Sequence, residues 1–189
     1  MSGDFSKMIE FMTLIGQLKR VQRTGWVRSN ITRPESVADH MYRMAILAFL
    51  VDPASGLDKD RCIKLALVHD MAESMVGDIA PSDGISKEEK HKKEEAAMGY
   101  ISSLVESSVG REIYCLWKEY EDQSSAEAAY VKDLDKFEMI LQAYEYEQLE
   151  DKPKCLEEFF ASTKGKFQTD QVKQWVESLE SVRSNPKTS

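Results

Sequence analysis

Apolar residues in this chain recur every three or four positions and nowhere alternate, a pattern that confines it to helices. Phe5, Met8, Ile9, Met12, Ile15 and Leu18 mark a first amphipathic helix over residues 5–21. It gives way to a turn-like break at Arg23-Thr24-Gly25-Trp26. The spacing Thr32-x-x-Glu35, with Pro34 beside it, predicts the capped start of a second helix running to Val51. Asp52 to Gly56 reads as a loop, and a third helix follows over 58–75. A fourth opens at Ser86-x-x-Glu89 and continues to 105, and two more span 109–122 and 125–150. After Lys152-Pro153 come a shorter helix and a last one over 169–183. No repeat or interdomain linker interrupts the series. The expected fold is all-α: a single helical bundle over 1–184 with short connections, and a polar tail over 185–189.

The charge balance narrows the partners. A net charge of −8 argues against a broad nucleic-acid footprint, which needs basic stripes to neutralise phosphates. It also means that a phosphorylated small substrate would need a local cation. The longest apolar run, Met44 to Val51, is too short to cross a bilayer, and the N-terminus lacks the basic-then-apolar order of a secretory signal. Cys62, Cys115 and Cys155 lie far apart without a C-x-x-C pair, which fits a reducing compartment. The expectation is a protein of the cytoplasm or nucleus, with neither nucleic acid nor membrane as partner.

One stretch does not read as plain core. The apolar run Ile63 to Val68 leads into His69-Asp70, then Glu73, then Asp78 beyond Gly77. On a continuous helix Glu73 stands one turn above His69, so three possible ligands share a face. Carboxylates in such surroundings are normally paired or metal-bound, because burying them alone is costly. His40 joins them: it falls with Val37, Met44 and Leu47 on the core-facing stripe of the second helix. His91 sits in the charged run from Lys87 to Glu94 and reads as surface. A further acid is expected from the 125–150 helix, where Asp133, Asp135 and Glu138 are all candidates and periodicity does not choose. The loop from Gly77 to Ser86 has the length and composition of a functional connection.

His40, His69-Asp70 and a downstream aspartate resemble the H…HD…D pattern of the HD-domain metal-dependent phosphohydrolases. The spans Arg23 to Trp26, Arg33 to Met44, Leu67 to Glu73 and Gly77 to Pro81 are similar to the 5′-deoxynucleotidase branch of that family. The resemblance runs from the first helix to about residue 180 and implies an HD domain over 1–184. It implies that His40, His69, Asp70 and Asp135 bind a divalent metal, and so picks Asp135 over Asp133. It further implies catalytic roles for Glu73 and Asp78 and substrate contacts from Arg23, Trp26, Asp78, Ile79 and Pro81. Alternatively, Glu73, Asp78 and the Ile79 carbonyl hold a second, Mg²⁺-like ion. Where bacterial relatives have the arginine and tryptophan adjacent, Thr24-Gly25 separates them here.

Two imidazoles and two carboxylates suit Mn²⁺, Co²⁺, Fe²⁺ or Zn²⁺, and Mg²⁺ also enters the expected set. The implied reaction is hydrolysis of deoxyribonucleoside 5′-monophosphates by metal-bound water. The rivals are another HD-type activity, on phosphodiesters or nucleoside triphosphates, and a non-catalytic binding protein stapled by its metal. Glu73 and Asp78 argue against the last, since a structural site has no use for acids beyond its ligands. The resemblance also implies a homodimer, for which Trp117, Tyr120 and Tyr144 are candidate interface residues.

Overall fold

A computed structural model describes residues 5–80 and 83–185, so Pro81 and the end of the polar tail lie outside the described residues. The helices are α1 (Phe5–Gln17), α2 (Thr24–Arg28), α3 (Val37–Ala48), α4 (Lys59–Val68) and α5 (Glu73–Val76) in the first half. The second half holds α6 (Lys87–Ser103), α7 (Ser107–Asp122), α8 (Ala126–Leu149), α9 (Glu157–Thr163) and α10 (Asp170–Ser184). Pro53–Ser55 adds a 3-10 turn. Among the described residues, the only paired extended backbone is an isolated antiparallel bridge between Gln22 and Ser36. The all-α expectation holds.

The fold is organised on α8, against which α3, α4, α7, α9 and α10 all pack. Its buried residues, among them Ala128, Val131, Leu134, Ile140 and Ala143, share one core with Met44, Leu65 and Met98 from other helices. Each large aliphatic side chain so buried contributes roughly 1.5–3 kcal/mol. Helices α6 and α7 cross closely at Gly110, where an added Cβ would lie 2.1 Å from the Ser102 carbonyl oxygen. Helix α1 buries none of its residues, and Phe5, Met8, Ile9 and Met12 remain exposed.

Four local expectations need correction. The second long helix starts at Val37, not near Thr32: Ser36 caps it, accepting from the Asp39 N–H while the Asp39 carboxylate accepts from the Ser36 N–H. Thr32 instead gives its N–H and hydroxyl to Glu150, and the Arg23 and Val37 N–H groups bond to the Glu35 and Val21 carbonyls, holding the segment straight. Pro34 also disfavours helix in the residue before it. The supposed break at 23–26 contains a short helix, α2, and α1 ends at Gln17.

The third long helix is not continuous. It stops at Val68, and residues 69–72 form turns before α5. The His69 Nδ1–H donates to the Ala66 carbonyl (2.9 Å), taking the acceptor that an unbroken helix would offer to the Asp70 N–H. The next bonds tighten to three-residue spacing, from Met71 to Val68 and from Glu73 to Asp70.

Two of the three candidate interface aromatics are also overturned. Trp117 is 1% and Tyr120 3% exposed, both in the core, and Tyr144 is half-buried. His91 is half-buried rather than free on the surface: it pairs with Glu121 and stacks on Trp117.

Candidate active site

Helix α3 carries His40 into the interior with no exposure. Its Nδ1–H donates to Glu138 Oε2 on α8 at 2.5 Å, and Arg43, one turn along α3, binds the other Glu138 oxygen at 2.8 Å. His69 has its Nδ1 committed to Ala66. With Nδ1 committed on both rings, Nε2 is the nitrogen that each histidine turns toward the site, and it offers a lone pair when the ring is neutral. Both Nε2 atoms are buried and neither makes a hydrogen bond. The rings lie 5.4 Å apart, edge to face.

Carboxylates close the same gap. Asp135 Oδ1 lies 3.3 Å from His40 Nε2, and Asp70 Oδ2 lies 3.1 Å from His69 Nε2 and 3.9 Å from His40 Nε2. One ligand atom each from His40, His69 and Asp135 falls within 4.8 Å of the others. Neutral imidazole nitrogens and carboxylates facing one another across a buried space repel unless positive charge, a proton on a ring or a metal ion, lies between them. Ligand atoms about 2.1 Å from one ion and at right angles stand about 3 Å apart, close to the shorter spacings here. The donor set fits a divalent ion.

The surrounding charges are tuned by burial and by each other. Burial and Arg23 disfavour a charged His40, but Glu138 and Asp135 outweigh them and push its pKa up to about 9. Burial opposes ionisation of Asp70, yet His69, Arg23 and His40 hold it well below the usual carboxylate range. Asp135 is likewise held low, chiefly by Lys132 and His40, against burial. Its Oδ2 accepts from the Tyr120 hydroxyl (2.8 Å) and Lys132 (3.0 Å). Arg23, whose Nη1 is 3.4 Å from Asp70 Oδ2, loses hydration on burial, but Asp70, Asp135, Asp78 and Glu73 more than compensate.

These groups open onto a cavity of about 340 Å³ lined by Arg23, Asp70, Glu73, Asp78, Lys132 and Asp135, among others. Glu73 is 3% exposed, and its Oε2 is buried without a partner. Burial, then Asp70 and Asp78, raise its pKa well above the ordinary value. Asp78 has one carboxylate oxygen engaged by the Thr24 N–H (2.6 Å) at the start of α2, and its carbonyl accepts from the Thr24 hydroxyl. Ile79 lines the cavity. Trp26 also borders it but is 1% exposed. Its indole N–H goes to Glu35 (2.9 Å), and its ring packs against Phe159 and Tyr146. Burial, then Glu138, push the Glu35 pKa up to about 7.

A family model for the HD domain matches residues 15–175. The chain belongs to the HD-domain family. The human 5′-deoxynucleotidase HDDC2 is 58% identical over 177 residues, covering 94% of this chain and 86% of its own. The Saccharomyces cerevisiae 5′-deoxynucleotidase YGK1 is 43% identical over 175 residues, covering 90% of this chain and 80% of its own. Among solved structures, a conserved hypothetical protein from Pyrococcus furiosus superposes with a TM-score of 0.73 at 31% identity, covering 92% of this chain and 99% of that one. Membership of the HD-domain family implies a divalent metal, and the His40, His69 and Asp135 cluster is a group able to hold it.

In this HD-domain protein the three acids of α8 are separated by what they touch. Asp133 caps the approach to α10, accepting from the Gln168 and Thr169 N–H groups at 2.7 Å each. Asp135 faces the histidines, and Glu138 stands behind His40. Sequence reasoning offered Glu138 only as a rival ligand and missed its support of His40. A buried histidine with one nitrogen toward a metal needs a partner on the other, and Glu138 lies on the same helix face as Asp135, three residues on. Tyr120 and Lys132, which hold Asp135 Oδ2, were also missed, since nothing in their spacing separates them from ordinary core and surface residues.

Proposed function

We propose that this HD-domain protein is a metal-dependent 5′-deoxynucleotidase, releasing phosphate from deoxyribonucleoside 5′-monophosphates. The observation that carries the reading is the pair of partnerless, buried Nε2 atoms of His40 and His69 facing Asp70 and Asp135. These four residues would hold an ion such as Mn²⁺, Co²⁺, Fe²⁺, Zn²⁺ or Mg²⁺. When bound, such an ion supplies Lewis acidity, lowering the pKa of water from 15.7 toward roughly 7 and offsetting charge on phosphoryl oxygens.

The chain's own groups do the rest. Arg23 offers a planar fork to two phosphate oxygens from the rim of the site. Glu73, with one oxygen free and its proton affinity raised, is placed to take a proton from the attacking water. The Asp78 carboxyl, fixed by Thr24, would hand a proton to the leaving 5′-oxygen. In a variant of this scheme Glu73, Asp78 and the Ile79 carbonyl hold a second, Mg²⁺-like ion, for which hard oxygen ligands are suited. Trp26 acts from behind, by fixing Phe159.

No helix among the described residues is long and apolar enough to cross a membrane. We place the protein in the cytoplasm or nucleus, where its three free cysteines stay reduced. It works there on a small nucleotide, without nucleic acid, as a homodimer. The exposed apolar stripe Phe5, Met8, Ile9 and Met12 of α1 is the face that supports pairing.

The test is phosphate release from deoxy- and ribonucleoside 5′-monophosphates with added Mn²⁺, Co²⁺ or Mg²⁺. Release from deoxynucleotides, abolished by Glu73→Ala with metal still bound, supports the proposal. Bound metal with no release from any nucleotide overturns it in favour of a metal-stapled binding protein.

A further inference from the structure

A second cavity, of about 570 Å³, adjoins the first, and the two share Gly25, Ala80, Met139 and Phe159 in their walls. We propose that this lobe receives the nucleoside end of the substrate, with the base laid against the Phe159 ring and Met139. The inference rests on the nucleotidase reading above and says where that substrate's base goes.

The division of polarity carries the argument. Arg23, Asp70, Lys132 and Asp135 line only the first cavity, so the charged phosphate belongs there. The shared wall is an aromatic ring, a thioether, an alanine methyl and a glycine. A nucleotide has the same plan: a dianion at one end and a flat, weakly hydrated ring at the other. Helix α8 sets the spacing, because Met139 lies one turn beyond Asp135, about 6 Å along the axis. Both cavities are large enough for parts of a small-molecule site.

Phe159 is held for this use. Its ring lies 4.3 Å from that of Trp26, and Trp26 is fixed in turn by its bond to Glu35. At Gly25 an added Cβ would come 3.1 Å from Phe159 Cε1, so glycine lets the ring lie close over α2. The Thr24-Gly25 pair that separates Arg23 from Trp26 thereby gains a role: it brings Gly25 to the junction of the two cavities. Phe159 is half-buried, packed on one side and open to the lobe.

Most of the polar rim is already engaged. Arg28 pairs with Asp83, the Ser29 hydroxyl donates to the Gly25 carbonyl, and the Ser162 hydroxyl donates to the Phe159 carbonyl, while Glu158, 3.5 Å from the Ser29 hydroxyl, keeps its carboxylate at the outer edge. Recognition in the lobe therefore rests on the face of the base more than on its edge.

The experiment compares kcat/KM for a deoxynucleoside 5′-monophosphate with that for 2-deoxyribose 5-phosphate, which keeps phosphate and sugar but lacks the base. The wild type should favour the nucleotide. Phe159→Leu, which keeps bulk against Trp26, and Met139→Ala should each lower that ratio, by about tenfold for the lost ring. Phe159→Trp, which keeps an aromatic face, should preserve it. The ratio does not depend on the fraction of molecules folded, so a destabilised variant still reports. A wild-type ratio near one, or a ratio unmoved by Phe159→Leu and Met139→Ala, overturns the lobe alone. A wild type that hydrolyses neither compound overturns the nucleotidase reading and the lobe with it.

Discussion

Replacing Glu138 by glutamine tests whether the site depends on the support behind His40. The carboxylate is fully buried and binds His40 Nδ1 at 2.5 Å and the Arg43 guanidinium at 2.8 and 2.7 Å. An amide keeps only one acceptor oxygen. Arg43 donates and cannot accept, so it claims that oxygen and turns the amide NH₂ toward His40. Nδ1 must then accept, which moves the imidazole proton to Nε2, the nitrogen that faces Asp135 and Asp70. Losing such a partner behind a ligand histidine typically costs 10–100-fold in metal affinity, about 1.4–2.7 kcal/mol. The metal-free protein should lose about 2–3 kcal/mol as well, one charge-assisted hydrogen bond, because Arg43 keeps Gln142 and Glu145 as partners. The assay is titration of the metal-free protein with Mn²⁺ or Co²⁺ by calorimetry, alongside urea unfolding without metal. Wild-type metal affinity in Glu138→Gln would refute the reasoning, whatever happens to stability.

Two further tests probe the frame. Gly110→Ala pushes a methyl into the backbone of Ser102, which has no flexible end to move aside. It should lower stability by about 3 kcal/mol in urea, and an unchanged midpoint would show that α6 and α7 separate freely. Arg183→Met removes the bidentate partner of buried Glu147, at an expected cost of about 3 kcal/mol at pH 7. Burial alone would raise the Glu147 pKa, but the bonds from Arg183 and the Leu156 N–H win and lower it. A depressed carboxylate stabilises the fold above its unfolded value near 4.3, and that stability drains away as pH falls through the folded value. The gap between wild type and Arg183→Met, measured by unfolding at pH 7 and pH 3, should therefore narrow in acid. A constant gap counts against the ion pair.

The long helices were legible because their apolar faces repeat, and α7 and α8 lie close to their expected ends. The start of α3 was not, since Thr32-x-x-Glu35 and Ser36-x-x-Asp39 are adjacent candidate caps and the tertiary bonds to residues 21–23 and Glu150 favour the second. The apolar period runs straight through residues 69–72, so a break made by one imidazole–carbonyl bond leaves no trace in the pattern. His40 and His69-Asp70 stood out as polar groups on core stripes. The choice among Asp133, Asp135 and Glu138 was hidden for the opposite reason: α8 is buried on nearly every side and has no outer face to measure against. Trp117 and Tyr120 misled as interface residues because an amphipathic helix does not say whether its apolar face meets a neighbour or a second molecule.

The interruption after Val68 limits how this protein could be engineered for heat tolerance. Substitutions that favour unbroken helix through residues 69–72 would return the Ala66 carbonyl to the main chain and release the imidazole from its anchor. A designer who scores only backbone regularity would count that change as progress. The sturdier molecule would have a loosened histidine where the reaction needs a fixed one.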